Sequence, residues 1–232
     1  MSAADVRAQM HTLLVSARGV NGPLEPDQLL ELVHRLNQLY PHLLGDAEED
    51  ARTCLREAAR ISRRLVKGEH PDAREGLILS LQNLGEVLKY PPKGARGIKP
   101  AEELAAVWKE LADLGGAIIS QSNAANSLNT LALRHQEAGD METAVRVGAE
   151  CLAAWRKVTA SLPGDVMGGQ LFAIHNQYQR LTELRREDGR ESLAREAVEI
   201  EAKLERLTFG DLQMRERVRE LGNHFRKMFI WD

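Results

Sequence analysis

The sequence predicts an all-α protein, an α-α superhelix or helical solenoid of about four helix pairs with a capping helix at each end. Three observations predict it. Apolar residues recur at spacings of three and four along most of the chain, which places them on one face of a helix. Turn residues separate these stretches at regular intervals. No stretch shows the sustained alternation of apolar and polar residues that a half-buried β-strand needs.

The composition fits such a fold. Hydrophobic residues make up 43% of the 232 residues and charged residues 28%, so the chain can bury a core. Aromatic residues are only 4%, so the core must consist of Leu, Ala, Val and Ile. Cys54 and Cys151 lie on apolar stripes and are expected to be buried, reduced thiols, since their spacing suits neither a metal site nor a redox site.

The breaks between the apolar stretches indicate where helices end. A glycine can adopt the left-handed conformation that ends a helix, and an aspartate can cap the next one. Such pairs of residues stand at Gly45-Asp46, Gly139-Asp140 and Asp188-Gly189, and prolines mark further junctions at Pro71, Pro100 and Pro163. The connections are mostly short, so neighbouring helices are expected to run antiparallel.

The breaks repeat. Gly45 and Gly139 lie 94 residues apart, which fits two periods of about 47 residues. One period holds two helices, and a helix pair buries its apolar faces only by stacking on other pairs. We therefore assign residues 1–232 to one helical-repeat domain, with pairs at about 24–70, 71–116, 117–163 and 164–209 and with caps at 3–18 and 211–230.

The third pair resembles a tetratricopeptide repeat. Its segment NSLNTLALRHQEAGDMETAVRVGAECLAAW contains Leu131-Ala132, the turn Gly139-Asp140 and the small residue Ala144, which correspond to the small positions and the turn of that family. The chain departs from the family at Gly148, where a large aromatic residue is usual. The resemblance implies a tetratricopeptide-like solenoid that binds a protein or peptide in its concave groove.

The second pair resembles the kinesin-light-chain type of tetratricopeptide. In that type a His-Pro-Asp junction leads into a helix, as His70-Pro71-Asp72 leads here into Leu81-Gln82-Asn83-Leu84-Gly85. The tripeptide also occurs in J-domain co-chaperones. However, this chain lacks their three-helix context, and a junction between two repeats accounts for the motif.

Amide side chains recur on the first helices of successive pairs. They both donate and accept hydrogen bonds, so they can hold the backbone of an extended peptide without demanding its sequence. In a tetratricopeptide stack the first helices line the groove, and we therefore predict these groove residues: Asn83, Asn126, Asn129, Asn176 and Gln179. The alternative is that they are ordinary solvated positions.

A basic connection is the second candidate for partner binding. The segment from Tyr90 to Pro100 carries Lys93, Arg96 and Lys99 and no acidic residue. Long connections in compact proteins are either functional or mobile. The sequence is compatible with a partner-binding connection and with a merely mobile one.

Nothing in the sequence indicates an enzyme. It shows no Gly-rich phosphate loop, nucleophile elbow, Ser-His-Asp arrangement or paired-histidine motif, so no catalytic residue, metal or cofactor is predicted. The start of the chain lacks the features of a signal peptide. No segment approaches the roughly 20 apolar residues needed to cross a bilayer. We expect a cytoplasmic protein without membrane contact.

The predicted function is that of a non-enzymatic adaptor or scaffold for a protein or peptide partner. The alternative is a helical regulatory subunit or sensor of a small molecule or nucleic acid. The net charge of −3 disfavours nucleic acid. The apolar end of the chain, at Phe225, Phe229, Ile230 and Trp231, is expected either to cap the last pair or to form a homodimer contact.

Overall fold

The structure is a computed structural model, and it describes residues 3–19, 22–45, 47–115, 117–161 and 166–207. Over these residues all regular structure is helical, so the predicted all-α helical-repeat class is confirmed. The helices are α1 (Ala3–Ala17), α2 (Pro26–Leu39), α3 (Glu48–Lys67), α4 (Ala73–Leu88), α5 (Ile98–Asp113), α6 (Ile118–Glu137), α7 (Met141–Ser161), α8 (Met167–Glu183) and α9 (Arg190–Leu207). Short 3-10 helices lie at Tyr40–Leu43 and Gly94–Gly97.

The chain divides into two compact units. Unit 1 comprises Met1–Tyr90 and Ala106–Gly115, and unit 2 comprises Pro91–Ala105 and Gly116–Asp232. The assignment of the whole chain to a single domain stays a prediction. The predicted C-terminal cap at 211–230, with its apolar residues, lies outside the described residues.

Unit 1 is built around α3. The helix has acidic residues in its first turn and basic residues in its last turn, which complements its dipole at both ends. Its buried face carries small residues, among them Ala51 and Ala58, which let α2 and α4 approach it closely. Gly85 on α4 has a similar role, because a Cβ there would lie 2.7 Å from the ring of Trp108.

In unit 2 the predicted turn between α6 and α7 forms as expected. Gly139 adopts a left-handed φ of 83°. The Asp140 N–H donates to the His135 carbonyl over 2.9 Å, and the Asp140 carboxylate accepts from the Thr143 N–H over 3.2 Å. Hydrogen bonds from Thr143 hold the pKa of Asp140 below its ordinary value. Because only three residues join two helices that pack along their length, α6 and α7 run antiparallel.

A bidentate ion pair joins the second helices in each unit. In unit 1, Arg63 on α3 donates to Glu110 on α5 over 2.7 and 2.6 Å. In unit 2, Arg156 on α7 donates to Glu196 on α9 over 2.9 and 2.5 Å. The two arginines lie 93 residues apart, two periods of the repeat. Exposed pairs of this kind contribute at most about 1 kcal/mol each, so their main effect is on register.

The crossing of α6 and α7 can be tested by overpacking. Ala144 is fully buried on α7, as are Ala125 and Ala132 on α6. Ala144→Trp should lower the free energy of unfolding by about 1–3 kcal/mol, because the helices must move apart to admit the ring. Urea denaturation followed by circular dichroism measures the loss. The control is Ala149→Trp, which adds the same ring at an exposed position of α7, and equal stability of the two tryptophan variants would contradict a close crossing.

The two thiols give a second test. Both cysteines are buried and free, and burial raises the pKa of Cys54 and of Cys151 to about 12. Because the thiolate is the reactive form, a thiol reagent at pH 8 should label neither residue in the folded protein and both after unfolding in guanidinium. Rapid labelling of either thiol in the native protein would show that its helix opens easily.

Candidate functional site

Asparagines occupy one equivalent position on all four first helices. They are Asn37 on α2, Asn83 on α4, Asn129 on α6 and Asn176 on α8, at successive intervals of 46, 46 and 47 residues. Within each unit the later residue donates to the earlier one. The distance from Nδ2 to Oδ1 is 2.9 Å for Asn83 to Asn37 and 3.0 Å for Asn176 to Asn129. We call this arrangement the asparagine ladder.

In unit 1, neighbouring groups form hydrogen bonds with the remaining amide atoms of the ladder, and we therefore call this ladder closed. The Nδ2 group of Asn37, a residue only 6% exposed, donates to Val33 O over 3.0 Å and to Ser80 Oγ over 2.8 Å. The Tyr40 hydroxyl donates to Asn83 Oδ1 over 3.3 Å. Asn83, predicted as a groove residue, therefore has a structural role that the sequence did not reveal.

In unit 2, two amide atoms of the ladder lack a hydrogen-bond partner, and we call this ladder open. Among the described residues, the Nδ2 group of Asn129 and the Oδ1 atom of Asn176 have no protein hydrogen-bond partner. The reason lies at two equivalent positions. Ala173 stands where unit 1 has Ser80, and Ala132 stands where unit 1 has Tyr40, so neither hydroxyl is present. A donor group and an acceptor atom of the ladder are thus left without a partner among the described residues.

Two further predicted residues lie one turn away from the open pair. Asn126 is exposed on α6, one turn before Asn129, and Gln179 is exposed on α8, one turn after Asn176. Neither side chain makes a hydrogen bond to the described part of the chain. Unit 2 therefore presents amide groups from all four of its predicted residues on the two first helices.

The exposed side chains around these amides are uncharged, and Arg180, a charged residue that contacts Asn129, is buried. Residues 118–133 of α6 and 167–179 of α8 contain no Asp, Glu, Lys or Arg, although such residues form 28% of the chain. The apolar members of this surface are exposed: Ile119 by 68%, Leu133 by 38% and Phe172 by 52%. Depletion of charge and exposure of aromatic side chains are typical of the centre of a protein interface.

A buried arginine orients the open ladder. Arg180 is 2% exposed, and burial lowers its pKa. Its guanidinium donates to Asn129 Oδ1 over 3.4 Å and to Gln136 Oε1 over 3.3 Å. Because Arg180 and Asn176 both donate to the Asn129 oxygen, the Nδ2 group of Asn129 is the part of that amide left for other contacts.

Gly148 makes this arrangement possible. A Cβ at Gly148 would lie 2.1 Å from Gln177 Oε1 and 2.8 Å from Arg180 Nη1. A large aromatic residue, usual in the family at this position, would displace both side chains. Because residue 148 is a glycine and not a large aromatic residue, the polar side chains of Gln177 and Arg180 fit behind the ladder.

The basic connection is ordered against α6. Lys93 and Arg96 lie on either side of Gly94, whose N–H donates to Glu137 Oε2 over 2.7 Å, and Lys99 lies in the first turn of α5. All three cationic side chains are exposed. The structure therefore places this second candidate in unit 2 as well.

The His-Pro-Asp junction has a structural role in unit 1. His70 Nε2 lies 3.0 Å from Asp27 Oδ1 in the first turn of α2, 43 residues earlier. The contact joins the start of one pair to the start of the preceding one, which agrees with the interpretation of the motif as a junction between repeats.

The described residues contain neither a metal-binding cluster nor a helix that could span a membrane. No group of three or more His, Cys, Asp or Glu side chains is arranged to hold a metal ion. None of the helices described is long and apolar enough to cross a membrane.

Comparison with protein families supports the resemblance of the third pair. The family model described as tetratricopeptide repeat matches residues 124–159, within α6 and α7. This is the segment that carries Leu131-Ala132, the Gly139-Asp140 turn and Ala144, so the tetratricopeptide-like character of this pair is confirmed. No curated protein matches the chain.

Several solved structures are similar to the chain. The de novo designed helical repeat protein DHR64 is 20% identical, with 86% of this chain and 100% of that chain covered and a TM-score of 0.37. A protein from the computational design of self-assembling cyclic homo-oligomers is 10% identical, with 96% and 91% covered and a TM-score of 0.30. The DHF58 filament is 17% identical, with 87% and 91% covered and a TM-score of 0.28.

The difference between the two ladders can be tested by stability. Asn83→Ala removes the donor to the buried Asn37 oxygen and the acceptor of Tyr40, so it should cost about 1–3 kcal/mol of unfolding free energy. Asn126→Ala removes an exposed amide and should change stability by less than about 0.5 kcal/mol. Urea denaturation of both variants measures the difference. Equal stability of the two would mean that the closed ladder contributes nothing to folding.

Proposed function

We propose that this protein is a non-enzymatic interaction module that binds an extended segment of a partner protein on the α6–α8 surface of unit 2. The observation that carries the proposal is the open ladder, with the Asn129 Nδ2 group and the Asn176 Oδ1 atom unpaired on an uncharged surface. The tetratricopeptide match to α6 and α7 supports the same class of function.

The chemistry of the open ladder suits a peptide backbone. Each residue of an extended peptide offers one C=O acceptor and one N–H donor. The Asn129 Nδ2 group would donate to a backbone carbonyl of the partner, and Asn176 Oδ1 would accept from a backbone N–H. Asn126 and Gln179 would extend the row of contacts in both directions. Backbone contacts give affinity, while contacts with side chains give specificity.

The apolar residues of the surface favour a particular kind of segment. Phe172 and Leu133 are available to pack against apolar side chains of the partner. A charged side chain placed there would lose water without meeting an exposed opposite charge, because Arg180 behind the ladder is only 2% exposed, and this loss of water costs free energy. We therefore infer a partner segment that is extended, poor in charge and rich in apolar side chains.

The wider proposal follows the family resemblance. We infer that the chain forms one solenoid whose first helices line a groove, and that its second pair belongs to the kinesin-light-chain-like subtype through His70-Pro71-Asp72. A cytoplasmic adaptor or scaffold role agrees with these features. Co-purification of a nucleotide or nucleic acid, instead of a stoichiometric protein, would favour a regulatory sensor.

The experiment begins with selection from a random peptide library displayed on phage. The selection uses the variant Lys93→Ala/Arg96→Ala/Lys99→Ala, which lacks the cations of the basic connection, and the peptides that bind it should be depleted in Asp, Glu, Lys and Arg. The affinity of a selected peptide, labelled with a fluorophore, is then measured by anisotropy for the parent protein and for Asn129→Asp. This variant keeps the oxygen that accepts from Asn176 and Arg180 but loses the Nδ2 donor.

Asn129→Asp should lower the affinity for the peptide by about tenfold or more. The variant loses a hydrogen bond worth about 0.5–1.5 kcal/mol and adds a charge to the surface. Stability should be retained, since Arg180 gains a carboxylate partner. Gln38→Glu, an equal charge change on an exposed amide of α2, is the control. Undiminished binding by Asn129→Asp would move the site away from the ladder.

A complementary variant closes the ladder. Ala173→Ser restores the hydroxyl that accepts from the equivalent asparagine in unit 1. It should reduce peptide binding without loss of stability, because the Asn129 donor is then engaged within the protein.

A further inference from the structure

The connection from α4 to α5 is fixed in place although it is long. Glu137 Oε2 accepts from the Gly94 N–H over 2.7 Å and from Arg134 Nη1 over 2.6 Å. These bonds hold the pKa of Glu137 below its ordinary value. Gly97 is buried, and a Cβ there would lie 1.7 Å from Pro92 O. The backbone of residues 92–97 is therefore held against the C-terminal end of α6.

This fixed backbone displays cations without partners. Lys93, Arg96 and Lys99 are exposed, and among the described residues none of them forms an ion pair. The nearest acidic side chain known to contact the segment, Glu137, is already occupied by Gly94 and Arg134. Elsewhere in unit 2, exposed arginines such as Arg146 and Arg186 are paired with glutamates. Lys93 interacts electrostatically with Glu137, but none of the three cations is held in an ion pair by the described residues.

We propose that residues 93–99, here called the basic loop, are a docking surface for an acidic segment of a partner protein. The loop is separate from the amide surface, and the proposal does not rest on the proposed function. Carboxylates would pair with the lysines, and the Arg96 guanidinium can bind a carboxylate through two parallel hydrogen bonds. The fixed backbone lowers the entropy that would otherwise be lost on binding.

An acidic protein segment fits better than nucleic acid. Nucleic-acid binding of ordinary strength uses about 6–10 phosphate contacts, and the loop offers three cations. The net charge of the whole chain is −3, which repels a polyphosphate. A short run of Asp or Glu, in contrast, matches the size and the charge of the loop.

The test uses a fluorescein-labelled peptide of glutamates and, in parallel, an oligothymidylate of equal length. The variant Lys93→Ala/Arg96→Ala/Lys99→Ala is compared with Lys157→Ala/Arg185→Ala/Lys203→Ala, which removes the same charge from other exposed positions of unit 2. Anisotropy titrations give the dissociation constants. Circular dichroism checks that both variants keep the parent helix content.

We expect the loop variant to bind the glutamate peptide about tenfold more weakly, from three exposed ion pairs, and the control less than about twofold more weakly. Added salt should weaken binding to the parent protein, because these charges are exposed. Equal losses in the two variants would show a response to net charge alone and would overturn the proposal. Tighter binding of the oligothymidylate than of the peptide would overturn the assignment to an acidic protein.

Gly97→Ala tests the role of the fixed backbone without changing any charge. The new Cβ would meet Pro92 O, so the loop must shift. Weaker binding of the glutamate peptide by this variant supports a preformed surface, and unchanged binding contradicts one. Asn129→Asp, which tests the ladder, should bind the glutamate peptide as Gln38→Glu does, so the two proposals can fail independently.

Discussion

Hydrogen bonds between side chains one repeat apart hold the structure in register. Asn37 meets Asn83, Asn129 meets Asn176, and Gln136 meets Glu183, at separations of 46, 47 and 47 residues. Several of these polar atoms are partly or fully buried, and a buried polar group without a partner costs about 1–3 kcal/mol. A shift of one helix along its neighbour would break such bonds together, in addition to disturbing the close packing of the core. The period of the sequence is therefore enforced by polar contacts as well as by the core.

The ladders of the two units differ in the side chains that surround them. In unit 1 the hydroxyls of Ser80 and Tyr40 complete the amides, so the ladder stabilises the fold. In unit 2 both hydroxyls are replaced by the methyl groups of alanines, and the amides keep a donor and an acceptor unpaired. We propose that the unpaired atoms in unit 2 serve as binding groups, while the hydrogen bond between the two asparagines is retained. The cost in stability is small because these amides remain partly accessible to water.

The sequence predicted the helices, the turn at Gly139-Asp140 and the small residue Ala144 because each depends on local chemistry or on periodicity. It did not identify Asn37, although the interval of 46 residues from Asn83 was a usable signal, since this residue falls on a stripe of leucines. It also could not distinguish the closed ladder from the open one. That distinction depends on which side chains on neighbouring helices come within hydrogen-bond distance. Gly148 was recognised as a departure, but its reason, the space for Gln177 and Arg180, is a property of three helices together.

Charge is divided between the helices of unit 2 in a way that matches the two proposed surfaces. The second helices α7 and α9 carry most of the acidic and basic side chains, and several of these are paired. They keep the unit hydrated, so α6 and α8 can present amide and apolar groups that lose water at little cost. The basic loop adds an exposed charge at the end of α6.

Contacts with the amides are short-range and only weakly sensitive to salt, whereas attraction to the loop extends over about a Debye length, roughly 10 Å at 0.1 M salt. A partner that contained both an apolar extended stretch and an acidic stretch would therefore be attracted by the loop and retained by the ladder. Two weak contacts joined in this way can exceed the affinity of either alone.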